Sequence, residues 1–249
     1  IAGWGGGAKI VQPGISGEET TARTHIFGAR QPLGQLHGSA DNAVRREIEM
    51  VGEKAGLNFI LNTVLNRERR IVKVVAGDIV KAHRAGVEYA KQVFRPKVPG
   101  RADIVISSSH PADIDFWQAM KGLMSAHLVV KKGGTIILVT PCPEGISPIH
   151  EETVRSLSAL SFDRINEMVD RGEIEDLIGA NASMTYARLR DWARLIFVSD
   201  GLSEEYCDGL NVEKAASVAD ALEEAMRRHG EQASIGVLTH GGDLVPEVA

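Results

Sequence analysis

Two spacings of apolar residues share this chain, and the changeover falls near residue 95. Residues 1–8, IAGWGGGA, hold four glycines and form no regular element by pattern. Residues 9–15, KIVQPGI, are apolar and end at Pro13-Gly14. A helix is expected from Gly17-Glu18-Glu19 to near Ala29, with its acidic residues at the end where the helix dipole favours them. Residues 41–55 read as a helix capped by Asp41, with Val44, Ile48 and Val51 spaced along one face. LNFILNTVL (57–65) and RIVKVVAG (70–77) read as strands joined by the polar turn 66–69, an antiparallel hairpin. Asp78 then caps a helix that runs to near Phe94. RPKVPGR (95–101) sets two prolines and a glycine between periodic segments, which marks a domain boundary.

Beyond it, apolar strands alternate with helices. Strands are expected at 102–109, 135–140, 195–200 and 233–239. Helices are expected at 114–130, 149–160, 162–171, 174–192 and 212–229, with turns at 132–134 and 203–207. Continuous apolar strands between helices indicate a parallel, doubly wound sheet. The expected fold class is thus α/β in two domains, with no internal repeat.

Composition narrows the classes of function. The 249 residues are 43% hydrophobic and 24% charged, enough for a packed core. A net charge of -5 and no basic block give no footprint for nucleic acid or an anionic membrane. No apolar run approaches the ~20 residues of a transmembrane helix, and no signal peptide is visible. Cys142 and Cys207 form no CxxC pair, which favours a reducing cytoplasm. The first residue is Ile1, so an upstream portion is expected.

Candidate chemistry begins at the glycine run. Gly3, Gly5, Gly6 and Gly7 allow backbone to approach an anion or a bulky ligand, and Lys9 adds a charge or a reactive amine. A P-loop does not fit, because Ala8 precedes the lysine and Ile10 follows it. A dinucleotide fingerprint needs a preceding strand, for which two residues leave no room. A linker ending in a solvated lysine remains open. His25 lies in a polar helical stretch sixteen residues after Lys9, a surface position or a metal ligand. No second His or Cys stands at ligand spacing, so a metal there takes most ligands from a cofactor. Trp117, Gln118 and Lys121 share a helix face just beyond the carboxyl end of strand 102–109, where open α/β sheets bind ligands. They form either a carboxylate-binding group or an exposed polar face. Cys142 reads as part of a tight turn, and His83 and His110 as surface or capping residues.

The segments GWGGGAKIVQPGISGEETTARTH, GLNFILNTVLN, AGDIVKAHRAGVEYA, ADIVISSS, DFWQAMK and KKGGTIILVTPCPEG together resemble the nickel-dependent lactate racemase family of 2-hydroxy-acid racemases and epimerases. The resemblance covers nearly the whole chain and is weakest over 150–232. It implies a nickel pincer nucleotide, a pyridinium mononucleotide binding nickel through two sulfurs and a ring carbon. Lys9 matches the lysine that carries it, with Gly5, Gly6 and Gly7 beside it, and His25 matches the protein's nickel ligand. Gln118 and Lys121 match substrate-contacting residues. The implied reaction takes hydride from Cα of a 2-hydroxy acid and returns it to the opposite face of a planar 2-oxo acid, with a histidine base on either side.

The chain also departs from the family pattern. The two histidine bases belong upstream of Lys9, outside this sequence, as does an acidic-Arg-Pro segment tied to cofactor phosphate. This chain is therefore expected to hold half a site and to be inactive alone, its partner being the N-terminal part of the same protein. Trp117 stands where the lactate enzyme has tyrosine, and Trp192 matches no assigned position, which leaves the identity of the hydroxy acid open. The implied domains are 1–95, the rear of a cofactor-binding domain incomplete at its N-terminus; 100–228, an α/β domain; and 229–249, a return segment to the first, with the site in the cleft. Rival readings are a nucleotide- or phosphate-using α/β enzyme with Gly3–Lys9 as anion loop, and a non-catalytic α/β binding domain.

Overall fold

A computed structural model describes residues 3–249; the expectation for residues 1–8 falls, at Ile1 and Ala2, outside the described residues. The chain divides into two compact units, Ile1–Pro96 and Lys97–Ala249.

The first unit opens on a 3₁₀ turn, Gly7–Ile10, which begins inside the stretch expected to be irregular. Gly6 and Gly7 supply the positive φ angles (69° and 63°) that lead the chain into it. Helix α1 (Glu18–Ala29) carries Glu18 and Glu19 in its first turn. Helix α2 (Ala43–Lys54) is capped by Asn42 rather than Asp41. Asn42 accepts the Arg45 amide proton at 2.8 Å, whereas Asp41 is exposed and pairs with Arg46. Both residue types cap well, and the register of the buried face decides between them. Strands β1 (Ile60–Leu65) and β2 (Ile71–Gly77) form the antiparallel hairpin. Asp78 accepts from the amides of Val80 and Lys81 and so starts helix α3 (Lys81–Phe94). One apolar cluster joins Ala8, Leu36, Val44 and Ile48, with Phe27 and Leu57 packed on it. A second joins Ile60, Ile79 and Ala82.

The second unit is built on five parallel strands in the order β7-β6-β5-β4-β8. Strand β3 (Lys97–Val98) lies outside this sheet and pairs with β9 (Glu247–Val248). In chain order, β4 (Ala102–Ser108), helix α4 (Phe116–His127) and β5 (Val130–Val139) come first. Helices α5 (Glu151–Leu157), α6 (Phe162–Asp170) and α7 (Leu177–Trp192) precede β6 (Arg194–Val198). Helix α8 (Glu204–Gly209), β7 (Glu213–Lys214), helix α9 (Val218–His229) and β8 (Ile235–Leu238) complete it. Alternate residues serve the two faces. Ile104, Ile137 and Ile196 pack against Ala221 and Ala225 of α9. Phe197 packs from the other face against Phe116 of α4, which also meets Tyr186 of α7. Among the described residues no helix is long and apolar enough to cross a membrane.

Three further details differ from the sequence pattern. Lys132-Gly133-Gly134 is not a turn before a strand; it lies inside β5, where the pairing register with β4 shifts and Gly133 takes φ 79°. The expected turn at 203–207 is helix α8, capped by Ser203. The expected helix at 212–229 starts only at Val218, because Ser217 accepts the Asp220 amide and Glu213–Lys214 joins the sheet edge. Residues 235–244 hydrogen-bond within the second unit. Strand β8 pairs with β4, and Ser125 of α4 donates to the carbonyls of Gly241 and Leu244.

Candidate functional site

In the first unit, the glycine run is held from beneath by buried polar side chains. Arg45, fully buried, donates to the carbonyls of Trp4 and Gly6. His83, only 3% exposed, meets the Gly5 carbonyl through Nε2 at 2.9 Å. A carbonyl only accepts, so that nitrogen carries the proton. The other ring nitrogen, Nδ1, lies 2.9 Å from the Arg84 guanidinium, which only donates. The tautomer is thereby set. Burial first, and then the Arg45 charge, push the His83 pKa down to about 4, so the ring is neutral at pH 7. Arg84 is in turn fixed by both oxygens of buried Glu49, at 2.7 and 3.1 Å. Asn62 on β1 accepts the Gly7 amide proton at 2.8 Å. The glycines are needed here. A Cβ on Gly6 would lie 2.8 Å from Asn62 Oδ1, and one on Gly7 would lie 3.0 Å from the His83 ring.

This cradle ends at Lys9, half-buried in the 3₁₀ turn. Gln12, fully buried, ties the turn to α1 by donating to Thr24 Oγ1 at 2.8 Å and to the Thr20 carbonyl at 3.2 Å. Ser16 donates to the amide oxygen of the same glutamine. His25, on α1, donates from Nδ1 to the Thr21 carbonyl at 2.7 Å. That bond leaves the lone pair on Nε2, the form in which histidine binds a metal. Burial lowers the His25 pKa, the Thr21 bond opposes this, and the Lys9 charge lowers it further. The Lys9 charge also contributes, as the smallest cause, to the lowered pKa of both His25 and His83. Among the described residues no group of three or more His, Cys, Asp or Glu suits a metal, so a metal at His25 would take its other ligands from a bound group.

In the second unit the polar residues collect at the carboxyl ends of β4 and β8. The strand order reverses between these two, which is the switch point where open α/β sheets bind ligands. Asp115 caps α4 by accepting the Gln118 amide proton at 2.7 Å. Lys121 Nζ donates to Gln118 Oε1 at 2.7 Å, so the two form one unit on the first turns of α4. Lys121 is exposed, yet crowding by surrounding protein lowers its pKa, while the carboxylates of Asp243 and Asp115 oppose the shift. His110 and His240 stack edge to face, 5.4 Å apart, across the switch point. His110 also reaches Asp113 at 3.2 Å. The Trp117 ring meets that of His150, with centroids 4.5 Å apart. Cys142, which the sequence placed in a tight turn, is buried with its thiol pushed up to about 12 by desolvation, so it is no nucleophile at neutral pH.

Gly5–Gly7, Lys9 and His25 lie in the first unit, and Trp117, Gln118 and Lys121 in the second. The structure also corrects one histidine. His83 is neither surface nor cap but the support of the glycine run, whereas His110 is exposed, as expected, and sits at the switch point. Arg45, Asn62, Gln12, His150 and Asp176 escaped the sequence reading. Their single hint was a polar residue within or beside an apolar stripe, as with Arg45 next to Val44.

The second unit is a parallel α/β domain with a lysine–glutamine pair beside its switch point, and comparison with known proteins narrows the class. Residues 98–245 match the model of the lactate racemase C-terminal domain, and the chain belongs to that family. It is 28% identical to the lactate racemase of Lactiplantibacillus plantarum over 247 residues, covering 97% of this chain and 57% of the relative. It is also 28% identical to that of Thermoanaerobacterium thermosaccharolyticum, covering 98% of this chain and 58% of the relative. The solved lactate racemase apoprotein from T. thermosaccharolyticum superposes with a TM-score of 0.88 at 27% identity, over 99% of this chain and 60% of that one. A Thermotoga maritima protein shares the fold, with a TM-score of 0.78 at 20% identity. The chain therefore spans less than two thirds of the length of these lactate racemases.

Proposed function

We propose that this protein racemises or epimerises a 2-hydroxy acid with a nickel pincer nucleotide carried on Lys9. The observation that carries the reading is the pairing of Lys9 with His25. A glycine cradle presents an amine, and sixteen residues later a histidine stands with its Nε2 lone pair set by the Thr21 carbonyl. The residues fit the group: Lys9 offers the attachment, Gly5, Gly6 and Gly7 offer close backbone approach, and His25 offers one nickel ligand. When bound, the group supplies a hydride acceptor that returns hydride to either face of the substrate carbon.

The remaining chemistry belongs to side chains. Lys121 binds the substrate carboxylate, or the hydroxyl oxygen as it becomes a carbonyl, and its positive charge favours the developing negative charge there. Gln118 holds the Lys121 amine in place and keeps an amide group at the same position. Trp117 contacts the substrate beside them. The proton of the substrate hydroxyl goes to a histidine base.

The test is production of the protein together with the cofactor-building machinery, followed by intact mass and elemental analysis. Bound nickel and a mass increase located at Lys9, both lost in Lys9→Ala, are the expected result. Nickel should fall in His25→Ala while the mass increase persists. Absence of nickel together with tight nucleotide binding would move the chain to a phosphate-using class. Absence of both would leave a non-catalytic binding domain.

A further inference from the structure

Residues 18–25 of α1, which include His25, are short of apolar anchors. The buried residues there are Ala22 and Thr24, and the apolar cluster of Ala8, Leu36, Val44 and Ile48 meets α1 at Phe27, nearer its far end. What reaches this part of the helix is the fully buried side chain of Gln12. Its Nε2 donates to the Thr24 hydroxyl at 2.8 Å and to the Thr20 carbonyl at 3.2 Å, and its Oε1 accepts from the Ser16 hydroxyl. The direction of each bond is set. Thr24 gives its proton to the Thr20 carbonyl at 3.0 Å, so its lone pairs face Gln12. Ser16 gives its proton to Gln12, so the hydroxyl of Thr21, 3.1 Å away, donates to Ser16. The carbonyl of that same Thr21 holds the His25 ring at 2.7 Å.

The backbone of Gln12 belongs to the Lys9 turn. Its amide donates to the Ala8 carbonyl at 3.0 Å, and the Gly14 amide donates to the Lys9 carbonyl at 3.1 Å. Ala8 packs closely on α2, where a Cβ on Gly52 would lie 2.8 Å from its methyl. A continuous path thus runs from the core through Ala8 and the Lys9 turn to Gln12, and from Gln12 to the part of α1 that bears His25. Leucine, of nearly the same volume, would join turn to helix with no polar group to desolvate. A buried amide with its bonds made joins them at one register, because sliding or rotating the helix breaks those bonds.

We propose that Gln12 is a positioning residue that holds the His25 segment of α1 in register with the Lys9 turn, so that the metal ligand and the cofactor anchor keep a fixed spacing. The inference rests on the reading of Lys9 as that anchor and His25 as that ligand. Gln12 acts through Thr24, Thr20 and Ser16, as an outer partner that aligns a metal ligand. Loss of such a partner weakens metal binding about tenfold or more.

The test compares Gln12→Leu, Thr24→Val and Thr24→Ser with Ile79→Val, a core variant of the same unit that leaves the link intact. In whole protein loaded with its cofactor, nickel loss to EDTA is timed while intact mass follows the group on Lys9. Gln12→Leu and Thr24→Val should release nickel about tenfold faster than wild type, with the added mass on Lys9 retained. Thr24→Ser, which keeps the hydroxyl, should release it at the wild-type rate. Ile79→Val should do the same despite its lower urea midpoint. In protein made without the cofactor, hydrogen exchange reads the link directly: amides of residues 22–25 should exchange about tenfold faster in Gln12→Leu, and those of 44–54 should not change. Wild-type nickel retention in both Gln12→Leu and Thr24→Val, equal nickel loss in Ile79→Val, or unchanged exchange in α1 would overturn this inference alone. Loaded wild type that holds neither nickel nor added mass at Lys9 would overturn the functional reading, and this inference with it.

Discussion

At the scale of single residues, the buried imidazole of His83 does work that its place in the chain does not announce. Its Nε2–H closes on Gly5 and its ring underlies Gly7, so it sets the glycine run that leads to Lys9. Its folded pKa, about 4, lies below the unfolded value near 6.5. The unfolded chain therefore binds the proton more readily as pH falls. The stability this group contributes is present above pH ~6.5 and is lost as pH drops toward 4, with an upper bound of about 3 kcal/mol. His25 is shifted in the same direction and adds to the loss. Urea unfolding at pH 7 and pH 4.5 should show this, and His83→Gln should flatten the difference while costing about 1–3 kcal/mol at pH 7. An equally steep pH dependence in the variant would place the acid sensitivity elsewhere. Lys121 makes a different prediction, because the role proposed for its amine is toward substrate rather than toward the fold. Lys121→Met should lower kcat/KM of the loaded whole protein about 100-fold and leave the urea midpoint within about 0.5 kcal/mol of wild type. None of the partners of His83 is near it in sequence except Arg84, which is why spacing could not identify it.

At the scale of elements, helix caps place the chemistry. Asp115 holds the first turn of α4 by accepting the Gln118 amide proton, and Gln118 then receives Lys121. Asp115→Ala should cost about 1 kcal/mol of stability, and Asp115→Asn should recover most of it, both read by denaturant titration. A larger loss of Lys121-dependent activity than of stability would show that the cap also aligns the pair. The hairpin β1–β2 presents the opposite case. One face packs on α3 through Ile60, Ile79 and Ala82, but Leu61, Val72 and Val74 on the strands, and Phe59 just before β1, are exposed. Two strands alone form a marginal sheet. Leu61→Thr with Val74→Thr should therefore change the stability of this chain by no more than about 0.5 kcal/mol and reduce binding of an apolar fluorescent dye. Periodicity revealed the hairpin, the long helices and the parallel strands. It missed α8 and β7, which are too short to show a period, and it took the Lys132–Gly134 bulge for a turn because both use glycine at positive φ.

At the scale of the whole molecule, each unit has its own apolar core, and the five-stranded sheet of the second is covered on both faces. Residues 97–249 expressed alone should unfold in one cooperative transition, seen as coincident loss of far-UV signal and of tryptophan emission. Non-coincident transitions would show that the second unit depends on the first. What the chain's own order of residues determined was local: the glycine run, the alternation of strands and helices, and the placement of Gln118 and Lys121 at helical spacing. These are short-range matters, settled by backbone sterics and by which residues share a face. The tertiary structure alone decided the rest. It buried Arg45 and His83 beneath the glycines, set the tautomers of His25 and His83, brought His110 to His240, and closed Asp176 and His150 on Trp117. Each of these joins residues from separate elements, and their partners become neighbours only when the apolar faces of those elements pack. Burial then turns ordinary polar side chains into fixed, directional groups, because a polar atom removed from water must find its partner within the protein.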